Sequence, residues 1–303
     1  MEKGTGFSNH QEKPSRFIEV KQVQWYPGHM AKAVRMLEEN LSLVDAALFV
    51  LDARAPLSSY NPRLKELTKN KPVLFVFNKR DLSDSGADEI AREFEERGRR
   101  TLCFSCVKGQ AQKLIGAMNA LTEEKAALLR AKGSVRPLRF LVAGIPNTGK
   151  STLINLLSGA RKAATGDKAG VTRTKQWVKC KGFELLDSPG LMPPSLENQV
   201  FARRLAALGS VNDDILAFDE IALFVLEELY NRYPDRLSTR YRIQGGTPLE
   251  MLEELCVNRG FLLKAKECDF ERGERALIDD LRKGKLGTLT LDTKEEAQSA
   301  FGE

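Results

Sequence analysis

Eight consecutive residues, GIPNTGKS (Gly144–Ser151), combine types and spacing that point to a definite chemistry. They match G-x-x-x-x-G-K-[ST] at every fixed position, after a strand-like run (LRFLVA) and before the helix-like TLINLLSG. Such a loop turns backbone N–H groups inward around phosphate oxygens, and the following helix N-terminus adds favourable partial charge. On this reading Asn147, Thr148, Gly149 and Thr152 line the phosphates. Lys150 reaches the β- and γ-phosphates and serves catalysis, and the Ser151 hydroxyl ligates Mg²⁺.

A second stretch, ELLDSPG (Glu184–Gly190), ends a strand-like run with Asp187, a candidate carboxylate for the same Mg²⁺. Gly190 is placed to offer its N–H to a γ-phosphate. Between the two motifs, AGVTRT supplies Thr172 as a further metal ligand and catalytic candidate, with Thr174 the weaker choice. The run FNKRDL (Phe77–Leu82) contains N-K-x-D directly after an apolar strand signal. Asp81 can accept the N1–H and 2-amino group of guanine, Asn78 can meet its O6/N7 edge, and the Lys79 stem can lie along the ring. Adenine lacks those donors and would leave polar atoms unpaired. FSCVKG then adds Ser105 and Cys106 as a base-supporting loop. The Cys103-x-x-Cys106 spacing invites a redox or zinc reading, but no second pair stands at a ligand-like distance.

These motifs need a scaffold that brings strand ends together. AALFVLDAR, KPVLFVFNK, RTLCFSC, LRFLVAG and KCKGFELLDSPG read as strands, separated by helical patterns such as ADEIAREFEERG and the long Lys113–Gly133 run. That alternation predicts an α/β fold, a mostly parallel sheet with helices on both faces. After the prolines of GLMPPSLEN the texture turns helical, with one short strand-like LGTLTLD near the end. The expected organisation is a polar tail over 1–23, an α/β nucleotide-binding domain over 24–195 and a mainly helical domain over 200–303.

Composition narrows the class. The chain has 303 residues and a net charge of +6, unevenly spread. Residues 1–199 hold 32 basic and 21 acidic side chains, and residues 200–303 hold 15 and 20. A basic half suits a polyanionic partner, although a solvated surface of mixed charge is the simpler reading of charge alone. Apolar runs are too short to span a bilayer. Five scattered cysteines and a charged N-terminus without an apolar stretch predict reduced thiols and a cytoplasmic location.

The order of the motifs is inverted: N-K-x-D precedes the P-loop, whereas ordinary GTPases run the other way. Circular permutation permits this, because domain termini on the surface can be exchanged. Together WYPGHMAKA, LDARAPLSSYNP, FNKRDL, GIPNTGKSTLINLL, GVTRTKQW, LLDSPG and GKLGTLTLD resemble the circularly permuted GTPases of the ribosome biogenesis GTPase A (YlqF/RbgA) family. The likeness spans nearly all of the chain after residue 24. It departs at Ala169, where proline is common, and at Ser188, where threonine is frequent.

The resemblance implies a Mg²⁺-dependent GTPase, monomeric when free, that cycles between GTP and GDP and assists late assembly of the large ribosomal subunit. It implies contact with rRNA and none with a membrane. The candidate RNA contacts are Lys32 and the cluster Arg232, Arg236, Arg240 and Arg242, which is interleaved with Tyr233 and Tyr241. Asn147 resembles the P-loop asparagine of potassium-activated GTPases, which implies K⁺ beside the phosphates; a loop hydrogen bond is the alternative.

Many GTPases orient the attacking water with a glutamine after the sensor glycine, but Leu191 stands there. In the unpermuted order WYPGHMAKA would adjoin the γ-phosphate sensor, so His29 becomes the catalytic candidate. The family resemblance points the same way, while a structural histidine at a helix start is the competing reading. Trp25 and Tyr26 are expected to pack. A different class of function, an RNA-binding scaffold gated by nucleotide with little hydrolysis, is favoured by Leu191; intact Lys150, Ser151, Thr172 and Asp187 favour the enzyme.

Overall fold

The computed structural model describes residues 28–68, 70–159, 176–193, 198–213 and 217–301. Trp25, Tyr26, Thr172, Thr174 and the tail over 1–23 lie outside these residues, as do the side chains of His29 and Lys32. The chain opens with α1 (Gly28–Asn40), then β1 (Ala46–Asp52), α2 (Pro62–Leu67), β2 (Val73–Asn78), α3 (Gly86–Glu96) and β3 (Arg100–Cys103). It continues with α4 (Ala111–Leu121), α5 (Glu123–Ala131), β4 (Leu138–Ala143), α6 (Lys150–Ser158), β5 (Gln176–Lys179) and β6 (Phe183–Asp187). The remainder is helical: α7 (Gln199–Ala207), α8 (Phe218–Arg232), α9 (Pro234–Tyr241), α10 (Pro248–Arg259), α11 (Phe270–Arg282) and α12 (Lys294–Phe301).

The six strands among the described residues form one sheet in the order β3-β2-β1-β4-β6-β5. All neighbours are parallel except β5, which runs antiparallel to β6. The continuous apolar runs of β1 and β2 are buried on both faces, as a parallel sheet covered by helices requires. On one face Phe49, Phe75, Phe77 and Phe94 stack edge-on at centroid distances of 5.2–5.5 Å. The other face packs Leu48, Val50 and Val76 against Leu114 and Met118 of α4 and Leu153 of α6.

Three local expectations are corrected. The Lys113–Gly133 run is two helices, not one, broken at Thr122, whose hydroxyl donates to Met118 O while two glutamates open the next helix. The strand signal around Lys179–Asp187 is a hairpin, because Gly182 (φ 91°) turns the chain between β5 and β6. LGTLTLD forms no strand. It lies across loops at the sheet edge, Leu289 N–H donating to Leu82 O and Leu291 N–H to Arg54 O, with Leu286, Leu289 and Leu291 buried.

The helical half has its own core from α7 to α11, but the chain does not stay there. α12 returns to the α/β half and packs on α3, its Phe301 ring 4.8 Å from Phe94 with the Arg99 guanidinium 3.9 Å above it. Conversely Ala55, Ile145 and Met192, in loops that follow strands, pack into the core of the helical half. Arg204 of α7, almost fully buried, binds Glu228, Asp292 and Glu296 and so ties α8 to the returning segment. The change of texture near residue 200 therefore marks a junction with shared side chains. No helix among the described residues is long and apolar enough to cross a membrane.

Candidate active site

Because β1, β2, β4 and β6 run parallel, the loops after them share one edge of the sheet. The winding direction reverses between β1 and β4, and ligands of open α/β sheets bind at such a switch point outside the carboxyl ends of the strands. The loop after β4 is the P-loop, the loop after β2 is N-K-x-D, and the loop after β6 is D-S-P-G. Motifs up to about a hundred residues apart in sequence are therefore neighbours in the fold.

The P-loop is close-packed backbone. Gly149 caps α6 with φ 94°, and a Cβ there would lie 2.2 Å from Asn78 Nδ2. Gly190 passes so near the loop that a Cβ would stand 2.8 Å from Pro146 N. Lys150 begins α6 and is buried, its ammonium donating to Ile145 O at 2.7 Å. Burial pulls its pKa down to about 8, against the opposing charge of Asp187. Thr148 is buried, while Ser151 and Thr152 stand half-buried in the first turn of α6.

Asp187 ends β6 and is buried, and its Oδ1 has no hydrogen-bond partner among the described residues. Burial pushes its carboxyl up to about 6, with Lys150 pulling the other way. A buried carboxylate with one oxygen left without a hydrogen-bond partner among the described residues, close enough to feel a desolvated lysine, is a costly arrangement. It is the donor set that a polyanion and a divalent cation would satisfy together, so Asp187 and Ser151 fit Mg²⁺.

The base side is differently made. Asn78 is buried and spends its amide on protein: Nδ2 donates to Thr148 O at 2.8 Å and Oδ1 accepts from Cys106 N–H at 3.0 Å. These bonds pin the P-loop to the Ser105–Cys106 loop and leave a second N–H and a second lone pair of the carboxamide for a base edge. Lys79, at φ 63°, donates to Asn147 O at 2.6 Å and to Asp52 Oδ2 at 2.8 Å. Asp81 is mostly covered and sits 3.9 Å from the Lys108 ammonium. Ser105 Oγ accepts from Lys108 N–H and shapes that turn. Burial pushes both the Cys103 and Cys106 thiols up to about 12, so they stay protonated near neutral pH.

Leu191 is turned into the core, only 2% exposed, with its N–H bound to Gly144 O and its carbonyl to Asn61. His29 is the second residue of α1. Asn147 Nδ2 donates to Gly209 O beyond α7.

Of the arginine cluster, Arg232 caps the 290–292 backbone and Arg240 pairs with Asp280 at 2.8 Å. Arg236 and Arg242 are exposed. Tyr241 is buried, so its ring is not offered for base stacking, while Tyr233 is half-buried with its OH donating to Asp84. Sequence reasoning assigned no role to Asp52 and Arg54, the charged pair closing β1. The available signal was a D-x-R pair in an otherwise apolar run.

A family model described as 50S ribosome-binding GTPase matches residues 139–242. A ribosome biogenesis GTPase A from Bacillus cereus is 40% identical over 93% of this chain and 96% of its own length. A mitochondrial ribosome-associated GTPase 1 from Ictalurus punctatus is 30% identical over 91% of this chain and 94% of its own. Among solved structures, GNP-bound YlqF from T. maritima superposes with a TM-score of 0.61 at 25% identity, covering 87% of this chain and 99% of that one. A GDP-bound YlqF structure gives 0.64 at 24% identity, over 86% and 100%, a likeness of fold.

Proposed function

This chain belongs to the ribosome biogenesis GTPase A family and is a GTPase, and from that premise we propose that it binds and hydrolyses GTP to assist late assembly of the large ribosomal subunit. The observation that carries the site assignment is the buried Asp187 carboxylate, its Oδ1 without a hydrogen-bond partner among the described residues, near the desolvated Lys150 at the edge where the P-loop and N-K-x-D meet. Asn78, Asp81, Lys79 and the Ser105–Cys106 loop hold the base. Asn147, Thr148, Gly149, Lys150, Ser151 and Thr152 hold the phosphates, and the Gly190 N–H senses the third.

Ser151, Asp187 and Thr172 would hold Mg²⁺, which when bound offsets charge on the phosphate oxygens. Lys150 places its ammonium against the charge that grows between the β- and γ-phosphates in a loose transition state. Leu191 is turned into the core and cannot orient water. The imidazole of His29 takes the task, positioning water or accepting its proton. K⁺ at Asn147 is a further proposed ligand, tested by turnover in K⁺ against Na⁺.

The ribosomal large subunit and its rRNA are the proposed partners, met through Lys32 and the exposed Arg236 and Arg242, with Arg232 and Arg240 shaping the same surface. GTP turnover with and without purified large subunits tests the reading. Stimulation in the wild type, lost in His29→Ala with GTP binding kept, is expected. Unstimulated turnover with intact subunit binding would favour instead the nucleotide-gated scaffold, to which the burial of Leu191 lends support.

A further inference from the structure

A line of buried charge leaves the nucleotide site and ends in the helical half. The Lys79 ammonium rests on Asn147 O and on Asp52 Oδ2. Asp52, the last residue of β1, is aligned with Asn78 across the strands. Its carboxylate also grips Arg54, from Nε to Oδ1 at 2.9 Å and from Nη2 to Oδ2 at 2.8 Å. Arg54 is 1% exposed. Its remaining nitrogen, Nη1, donates to Arg282 O at 3.1 Å and Leu281 O at 3.3 Å.

Those carbonyls close α11, where a helix has no further N–H of its own to offer and a cation is favoured. A second tie reaches the same place: Asn147 Nδ2 donates to Gly209 O, just past α7. Arg282 then binds Ala206 O and Ala207 O, both at 2.9 Å, clamping the ends of α7 and α11 together. Burying two cations and one anion is a poor way to gain stability, since apolar replacements often do as well. What the arrangement supplies is position.

We propose that Asp52 is a positioning residue for Lys79, and that Arg54 makes the grip on the nucleotide conditional on the docked end of α11. The inference rests on the assignment of Lys79 and the P-loop to the nucleotide. By linkage, a nucleotide seated against Lys79 tightens the α11 end, and a partner that pulls that end away weakens nucleotide binding by the same factor.

Two measurements test it. The first is the affinity for fluorescently labelled GDP in wild type, Asp52→Asn, Lys79→Met and the double variant. Each single change is expected to weaken binding about tenfold, and the double hardly more than either, the mark of coupled neighbours. Losses that multiply to about a hundredfold overturn the positioning role. Lys150→Ala is the control: if it keeps GDP affinity, the site assignment fails whatever Asp52 does.

The second measurement has a wild-type arm that survives any folding failure of a variant. Amide exchange at Lys283, Gly284 and Lys285, which bond to carbonyls of the last turn of α11, is expected to slow on GDP loading of the wild type. Arg54→Gln is expected to abolish that slowing. Exchange that GDP leaves unchanged in the wild type overturns the coupling.

Discussion

At the base side of the cleft both groups of the Asn78 amide have a protein partner, Nδ2 donating to Thr148 O and Oδ1 accepting from Cys106 N–H. At the phosphate side Asp187 Oδ1 has no partner among the described residues, and Lys150 has only a loop carbonyl. Both regions are buried and polar, yet one is finished and the other is not. A finished network keeps its shape without ligand, so it serves selection. An unsatisfied pair of charges raises the energy of the empty protein and lowers it again on binding, so it serves affinity. Substitutions on the two sides should accordingly act in opposite senses on stability and binding.

The widest separation is expected at Lys150. Lys150→Met removes the charge that meets the phosphates and should cost GTP affinity at least about a hundredfold, near the 2–5 kcal/mol seen when a buried charge loses its partner. The protein without nucleotide should melt no lower than wild type, because the desolvation cost of a buried ammonium has gone and the Asp187 carboxyl, already pushed up to about 6, can protonate in its place. A lower melting temperature would mean that Lys150 is structurally satisfied, and the contrast would fail.

Asn78→Ala should do the reverse on stability. It leaves Thr148 O and Cys106 N–H buried without partners, at about 1–3 kcal/mol each, and should lower urea resistance with or without nucleotide. An Asn78→Ala protein as stable as wild type would show that the base side is not self-supporting.

The unfinished side should also carry a pH signature. Asp187 titrates at about 6 in the fold against 3.8 for an ordinary aspartate. The folded state thus binds more protons than the unfolded between those values, and stability falls as pH rises from about 4 to 6 by roughly 2–3 kcal/mol. Lys150, at about 8 in place of 10.5, gives the opposite slope: the unfolded state binds more protons there, and stability rises from about pH 8 upward. Urea titrations at pH 4.5 and 6.5 on Asp187→Asn should show the acid-side slope flattened. An unchanged slope would assign it to another group.

Much of this comparison was legible in the sequence, because each motif is a short contiguous stretch at the end of a strand and strand ends converge in a parallel sheet. P-loop, N-K-x-D and D-S-P-G needed only their order to reveal the permuted arrangement. What escaped were contacts made by single residues over long separations. Asn78 bonds Thr148 from 70 positions away, and no pattern shows that its amide holds the P-loop. Arg54 meets α11 more than two hundred residues downstream. LGTLTLD alternates like a strand, but its N–H groups find loop carbonyls where no strand lies alongside. The return of α12 was hidden for the same reason, since Phe301 finds Phe94 only once α3 and the sheet exist. Phe301→Ala should cost about 1–3 kcal/mol, less than a fully buried phenylalanine because the ring is half-covered.

The smallest effects divide the arginine cluster. Arg240 is paired with Asp280, itself 5% exposed, and Arg240→Ala should lower stability by about 1 kcal/mol by leaving that carboxylate short of a donor. Arg236 and Arg242 stand exposed, and alanine at either should change stability by less than about 0.5 kcal/mol. Binding to large-subunit rRNA should rank them the other way, with the exposed pair losing affinity and the salt dependence shrinking by about one unit per lost phosphate contact. If Arg240→Ala weakens RNA binding more than the exposed pair at equal stability, the ion pair opens on the RNA and Asp280 acts as its cover.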